Sequence, residues 1–74
     1  MSKLPQISGL QVVKALQRKG FTVRRQHGSH IILRRDVPFS QTVVPDHRQI
    51  DRGTLRAILR QSDIGIDEFV SLVD

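Results

Sequence analysis

Hydrophobic positions first recur at helical spacing. Leu10, Val13 and Leu16, with Val12 beside them, return every three or four residues, the spacing of one face of an α-helix. Ser8 precedes this run, and Arg18, Lys19 and Gly20 close it. A serine hydroxyl can accept from the free N–H groups of a first turn. Cations suit a last turn, and glycine tolerates the left-handed residue that ends a helix. These signals predict a helix over about residues 9 to 19, with "LPQIS" leading in.

The period then drops to two. Phe21 and Val23 alternate with Thr22 and Arg24, which predicts a strand in "FTVRR". "QHGS" reads as a turn around Gly28, and "HIILRR" as a second strand rich in β-branched residues. The two are expected to pair as an antiparallel hairpin. "DVPFS" bounds the second strand, and "QTVV", ended by Pro45, predicts a third. After the loop "PDHRQ", Asp51 is a candidate cap for "RGTLRAILRQ", whose apolar face is Leu55, Ile58 and Leu59. Arg52, Arg56 and Arg60 line one side of that helix. Ile64 and Phe69 flank Gly65 as a hydrophobic staple for a last helix of about residues 66 to 73. The order is α-β-β-β-α plus a short helix. It predicts an α+β two-layer domain, a three-stranded antiparallel sheet with helices on one face.

With 74 residues, the chain is expected to be one domain over residues 1–74. A domain of this size buries only about 60% of its unfolded surface. Cysteine is absent, which excludes disulfides and thiolate metal sites. No signal peptide is apparent, and no apolar run exceeds three residues, as in Ile31-Ile32-Leu33. No membrane association is expected, and the cytoplasm is the default location.

Charge adds more. The net charge is +5, but residues 1–35 hold eight cations and no acid, whereas residues 36–74 hold four arginines and seven acids. A basic half is an electrostatic footprint for polyanions, and equally a solvated surface that keeps a small domain soluble. Three phenylalanines, without Tyr or Trp, offer little for stacking bases. Backbone and shape contacts suit the composition better.

The chemistry-bearing residues narrow the classes further. His27 and His30 lack the Cys or acidic neighbours of a structural zinc site, so neither metal nor cofactor is expected. Ser29 beside His30 lacks the strand–elbow–helix context of a nucleophile. What remains is histidine among arginines in "RRQHGSHIILRR". Metal-free RNA cleavage needs a base, an acid and cations for the charged phosphorane. Histidine exchanges protons near neutrality, and arginine binds phosphate with a planar fork. A histidine at a strand end is also common as an exposed structural residue, and local sequence leaves both readings open. A second candidate is an anion site at the helix start, where Gly53 and Thr54 offer N–H groups beside Arg52 and Arg56, with His47 just upstream. An ordinary capped helix with a solvated arginine face fits the same residues.

Together, "VVKALQRKGFTVRRQHGSHIIL" and "TVVPDHRQIDRGTLRAILRQ" resemble the HicA-type (YcfA-like) toxins of prokaryotic toxin–antitoxin systems. Gly28-Ser29-His30 matches the family's Gly-Ser-His, and "VPDH" followed by "GTLR" matches its Val-Pro-x-His and Gly-Thr-Leu-Arg segment. The resemblance implies a fold like a double-stranded-RNA-binding domain and metal-independent mRNA cleavage with His30 essential. It also implies a HicB-type antitoxin partner. Expected RNA contacts are Arg24, Arg25, Gly28, Ser29, Arg34, Arg35, His47, Arg52, Gly53, Thr54 and Arg56. Strand alternation would put Arg24 and Arg25 on opposite faces, and likewise Arg34 and Arg35, leaving one of each pair near RNA. The chain departs from the family at Ser62-Asp63-Ile64, where Ala-Gly-Ile is usual. Asp tolerates the left-handed conformation less well than Gly. The rival class is a non-catalytic RNA-binding module of the same fold; a third reading is a degenerate toxin kept to bind its partner.

Overall fold

The computed structural model describes residues 4–73. Lys3 of the basic half, and the outer ends of the expected 1–74 domain, lie outside them. The elements run α1 (Gly9–Arg18), β1 (Thr22–His27), β2 (His30–Asp36), β3 (Phe39–Pro45), α2 (Arg52–Ser62) and α3 (Ile66–Leu72). The strands form one antiparallel sheet in the order β1-β2-β3, and the helices cover one of its faces. The fold is the expected α+β two-layer arrangement.

Helix α1 begins at a capping box. Gln11 N–H donates to Ser8 Oγ at 3.2 Å, and Ser8 N–H donates to Gln11 Oε1 at 2.9 Å. Its buried face is Gly9, Val12, Val13, Ala15 and Leu16, whereas Leu10 is 56% exposed. The expected face is thus corrected by a fraction of a turn. The reason is a close approach: Gly9 N–H donates to the His47 carbonyl at 2.9 Å, and a Cβ on Gly9 would lie 2.0 Å from the Pro45 carbonyl oxygen. Only glycine lets α1 meet the end of β3 here.

The sheet's inner side is built from alternate residues. Ile31 and Leu33 of β2 pair with Val44 and Thr42 of β3, and all four are buried. Ser40 and Thr42 are polar on this side, but both hydroxyls donate to Gln61 of α2, to its carbonyl and its Oε1 respectively, each at 2.6 Å. Pairing removes the penalty for burying them. Strand β1 differs from expectation. Phe21 is buried but precedes the strand, and Val23 is 43% exposed at the sheet edge. The β1–β2 register shifts between Val23 and Arg25, leaving Arg24 as a bulge residue.

Helix α2 ends at Asp63 in the left-handed conformation (φ 57°, ψ 44°), and Ile64 N–H closes back to the Leu59 carbonyl at 3.0 Å. This is a Schellman-type end with Asp where glycine fits best. Gly65 then caps α3, and Ile64 and Phe69 are both buried around it, as the staple reading anticipates. Lys19 pairs with Glu68, and Arg18 donates to the Leu72 carbonyl at 2.6 Å, which ties α1 to α3.

Two substitutions test these joints. In Gly9→Ala, helix propensity would favour alanine by up to ~1 kcal/mol, but the clash is with backbone and dominates. Net destabilisation of about 1–3 kcal/mol is expected from a lower urea midpoint. Asp63→Gly relieves a left-handed residue, worth at most ~1–2 kcal/mol, against an unfolded-state entropy gain of ~0.4–1 kcal/mol. A higher urea midpoint is expected, and an unchanged or lower one would show that Asp63 is unstrained.

Candidate active site

The site begins at a two-residue turn. Gly28 and Ser29 join β1 to β2, with Gly28 at φ 55°. An added Cβ on Gly28 would meet nothing within 4 Å, so the constraint there is conformational. Positive φ at the first turn position, and not at the second, is the sign pattern of a II′ hairpin turn. The turn is held from the side as well. Asp46 N–H donates to the Ser29 carbonyl at 2.6 Å, and Gln26 Nε2 donates to the Gly28 carbonyl at 2.9 Å. Gln26 Nε2 also reaches Asp46 Oδ2 at 3.4 Å.

His30 is the first residue of the central strand. It pairs with His27 on one side and Pro45 on the other. Because Ile31 and Leu33 point inward, His30, Ile32 and Arg34 point to the sheet's outer face. His27 shares that face, and both histidines are exposed. His27 is therefore the last strand residue and not part of the turn, as "QHGS" suggested. The signal was available: two histidines flanking a two-residue turn must pair.

The arginines divide by face. Arg25 opposes Ile32, so it lies on the His30 face, two residues along (~7 Å) and one strand over (~5 Å). Arg24 and Arg25 straddle the bulge and together oppose Ile32, so simple alternation does not separate them. Arg34 also shares the His30 face, and its Nε lies 2.9 Å from Asp36 Oδ1, an ion pair without hydrogen-bond alignment. Arg35 belongs to the other side. Its guanidinium lies 4.8 Å from the Phe21 ring centroid, and its Nε donates to the Pro38 carbonyl at 3.0 Å. Phe21 and Phe69 are buried, but Phe39 is 69% exposed at the far end of the outer face.

The start of α2 is not the open anion site expected. Asp51 Oδ2 accepts from Thr54 N–H at 3.0 Å and its Oδ1 from the Thr54 hydroxyl at 2.6 Å. Thr54's donors are already taken, and a phosphate there would meet a carboxylate. Arg52 and Gly53 are exposed in the same first turn. Arg56 instead lines a groove of about 510 Å³ with Arg60, Leu59, Asp63, Ile64 and Ile66. That groove belongs to the helical layer, away from the sheet face that carries His30. His47 is exposed in the loop after β3, with its carbonyl bonded to α1. Among the described residues, no cluster of three or more His, Cys, Asp or Glu is placed to hold a metal ion. No helix among them is long and apolar enough to cross a membrane.

A family model described as "HicA toxin of bacterial toxin-antitoxin" matches residues 9–64. A search of curated proteins finds no match.

The α2 cap makes a prediction about pH. The Thr54 hydroxyl, then its N–H, hold the Asp51 carboxyl below the usual carboxylate range. A carboxyl lowered by folding stabilises above its unfolded pKa of about 3.9, and that stability is lost as pH falls through the folded value. Urea midpoints of wild type and Asp51→Asn should differ at neutral pH and converge in acid. A gap that ignores pH would remove the carboxylate's charge from the cap.

Proposed function

The chain belongs to the HicA toxin family of bacterial toxin–antitoxin systems, and from that premise we propose that it is a single-domain endoribonuclease that cleaves mRNA in the cytoplasm. In this reading His30 acts as a general acid or base without a metal ion, and a HicB-type antitoxin blocks the site.

The observation that carries the reading is the position of His30. It stands exposed at the head of the central strand, on the sheet face the helices leave open, with Arg25 and Arg34 on the same face. RNA supplies its own nucleophile, the 2′-hydroxyl. The protein need only move protons and stabilise charge on the phosphorane. Among the described residues the Arg25 side chain forms neither a hydrogen bond nor an ion pair, whereas Arg34 is partly neutralised by Asp36. Arg25 is the stronger phosphate candidate, with Arg24 beside it at the bulge. Backbone at Gly28 and Ser29 would approach the RNA closely, and His47 and Arg52 would extend the contact. Arg35, Thr54 and Arg56 take no part, since other groups engage the first two and the third lines the helical groove. A basic, open face of this kind suits an inhibitor that is acidic where it touches His30.

The test uses a structureless RNA, the wild-type protein and His30→Ala, with and without EDTA. Wild-type cleavage is expected to survive EDTA, and the variant to lose ~10²–10⁴-fold in rate, the usual effect of removing an acid–base group. Equal cleavage by the variant would remove His30 from the reaction. Salt-sensitive binding with no cleavage by the wild type would make the chain an RNA-binding module.

A further inference from the structure

We propose that His27 is the second proton-transfer group, so that His27 and His30 act on one phosphodiester as an acid–base pair. This rests on the ribonuclease reading above and adds a residue to it. Cleavage by the 2′-hydroxyl needs two proton transfers at opposite ends of the phosphorane. One neutral imidazole takes the 2′-hydroxyl proton as the 2′-oxygen bonds to phosphorus. One imidazolium gives a proton to the 5′-oxygen as the phosphorus–O5′ bond breaks. The products are a 2′,3′-cyclic phosphate and a 5′-hydroxyl. A proton has passed from one histidine to the other, and exchange with solvent resets the pair. No electron is transferred and no further reactant is needed.

The structure supplies the pair through register. The Gly28-Ser29 turn makes His27 and His30 direct cross-strand partners, with their Cβ atoms on one face roughly 4.5–5.5 Å apart. Both are exposed, and neither donates to or accepts from another side chain among the described residues. Rings that start this close can diverge to the two sides of one phosphate. His47 is the competing candidate, but no strand position holds it; it follows Asp46 in the loop after β3. The charged groups on this face or at the turn are Arg25 of β1 with Arg24 at the bulge, Arg34 farther along β2, and Asp46, whose N–H holds the Ser29 carbonyl; His47 and Arg48 follow Asp46 in the loop. The helices cover the opposite side of the sheet. Both histidines are therefore open to solvent, as groups that must exchange protons after each cycle need to be.

The experiment measures single-turnover cleavage of a structureless RNA against pH, for the full chain and for His27→Ala, His30→Ala and His47→Ala. Binding is read separately with a 2′-deoxy analogue that cannot be cut. The wild type is expected to show a bell-shaped profile, since only the singly protonated pair is active. His27→Ala should lose ~10²–10⁴-fold in rate and one limb of the bell, with binding of the analogue unchanged. His47→Ala should keep both limbs. A substrate with sulfur in place of O5′, which leaves without a proton, should restore the rate of one histidine variant and not the other. A His27→Ala enzyme with the wild-type rate and profile, or weakened only in binding, would overturn the pairing, as would loss of the limb in His47→Ala. Failure of the ribonuclease reading looks different: the wild type is inactive, or His30→Ala is fully active.

Discussion

Burial on one side of a three-stranded sheet is the constraint from which the rest of this structure follows. Ile31, Leu33 and Val44 face the helices and fill the core with Val12, Leu16, Leu55 and Ile58. Side chains alternate along a strand, so burying Ile31 and Leu33 obliges His30, Ile32 and Arg34 to point outward. A slip of one residue would drive His30 into the apolar layer and expose both anchors. The placement of the histidine is therefore held by hydrophobic burial at its neighbours, not by any bond to its ring. The core determines the face, and the turn determines the partner.

Polar joints then lock the layers in place at the end of the sheet where the site lies. The Pro45–Asp46 backbone meets Gly9 of α1 on one side and the Ser29 carbonyl on the other. One short segment thus couples the first helix to the hairpin tip. At the opposite end, Gln61 of α2 receives the hydroxyls of Ser40 and Thr42. Each joint satisfies a buried or closely approached polar group, so neither can slide without leaving a donor unpaired. A small domain with a modest core gains specificity of arrangement from such contacts, and its outer face can remain free of structural duty.

Much of the fold was legible because its periods are clean. The order of elements, both helix caps at Ser8 and Asp51, and the staple at Ile64 and Phe69 follow from spacing and side-chain chemistry within a few residues. The departures share a cause, which is contact with residues distant in sequence. Leu10 looked like core because glycine carries no hydrophobic signal, yet Gly9 sits at the α1–β3 seam. The burial of Ser40 and Thr42 carries no local signal, because their partner is some twenty residues away in α2. The Arg24 bulge has no local signature, and it breaks the alternation that would have sorted the arginines. His27 is different. Its pairing with His30 follows from the two residues between them and needed no structure, only a count of the turn.

The distribution of charge acquires meaning once faces are assigned. Eight cations in residues 1–35 fit a polyanion footprint and a solvated surface equally. Several are engaged within the fold: Arg18 and Lys19 tie α1 to α3, Arg34 pairs with Asp36, and Arg35 lies against Phe21. Arg24 and Arg25 make no such contact among the described residues, and they lie just beyond the paired histidines on the edge strand. An edge strand is where a bulge is tolerated, because only one neighbour must accommodate it. The bulge sets two adjacent arginines against a single residue of β2, where regular pairing would allow only one. A local defect in pairing thus concentrates positive charge beside the histidines without disturbing the central strand that holds His30 in place.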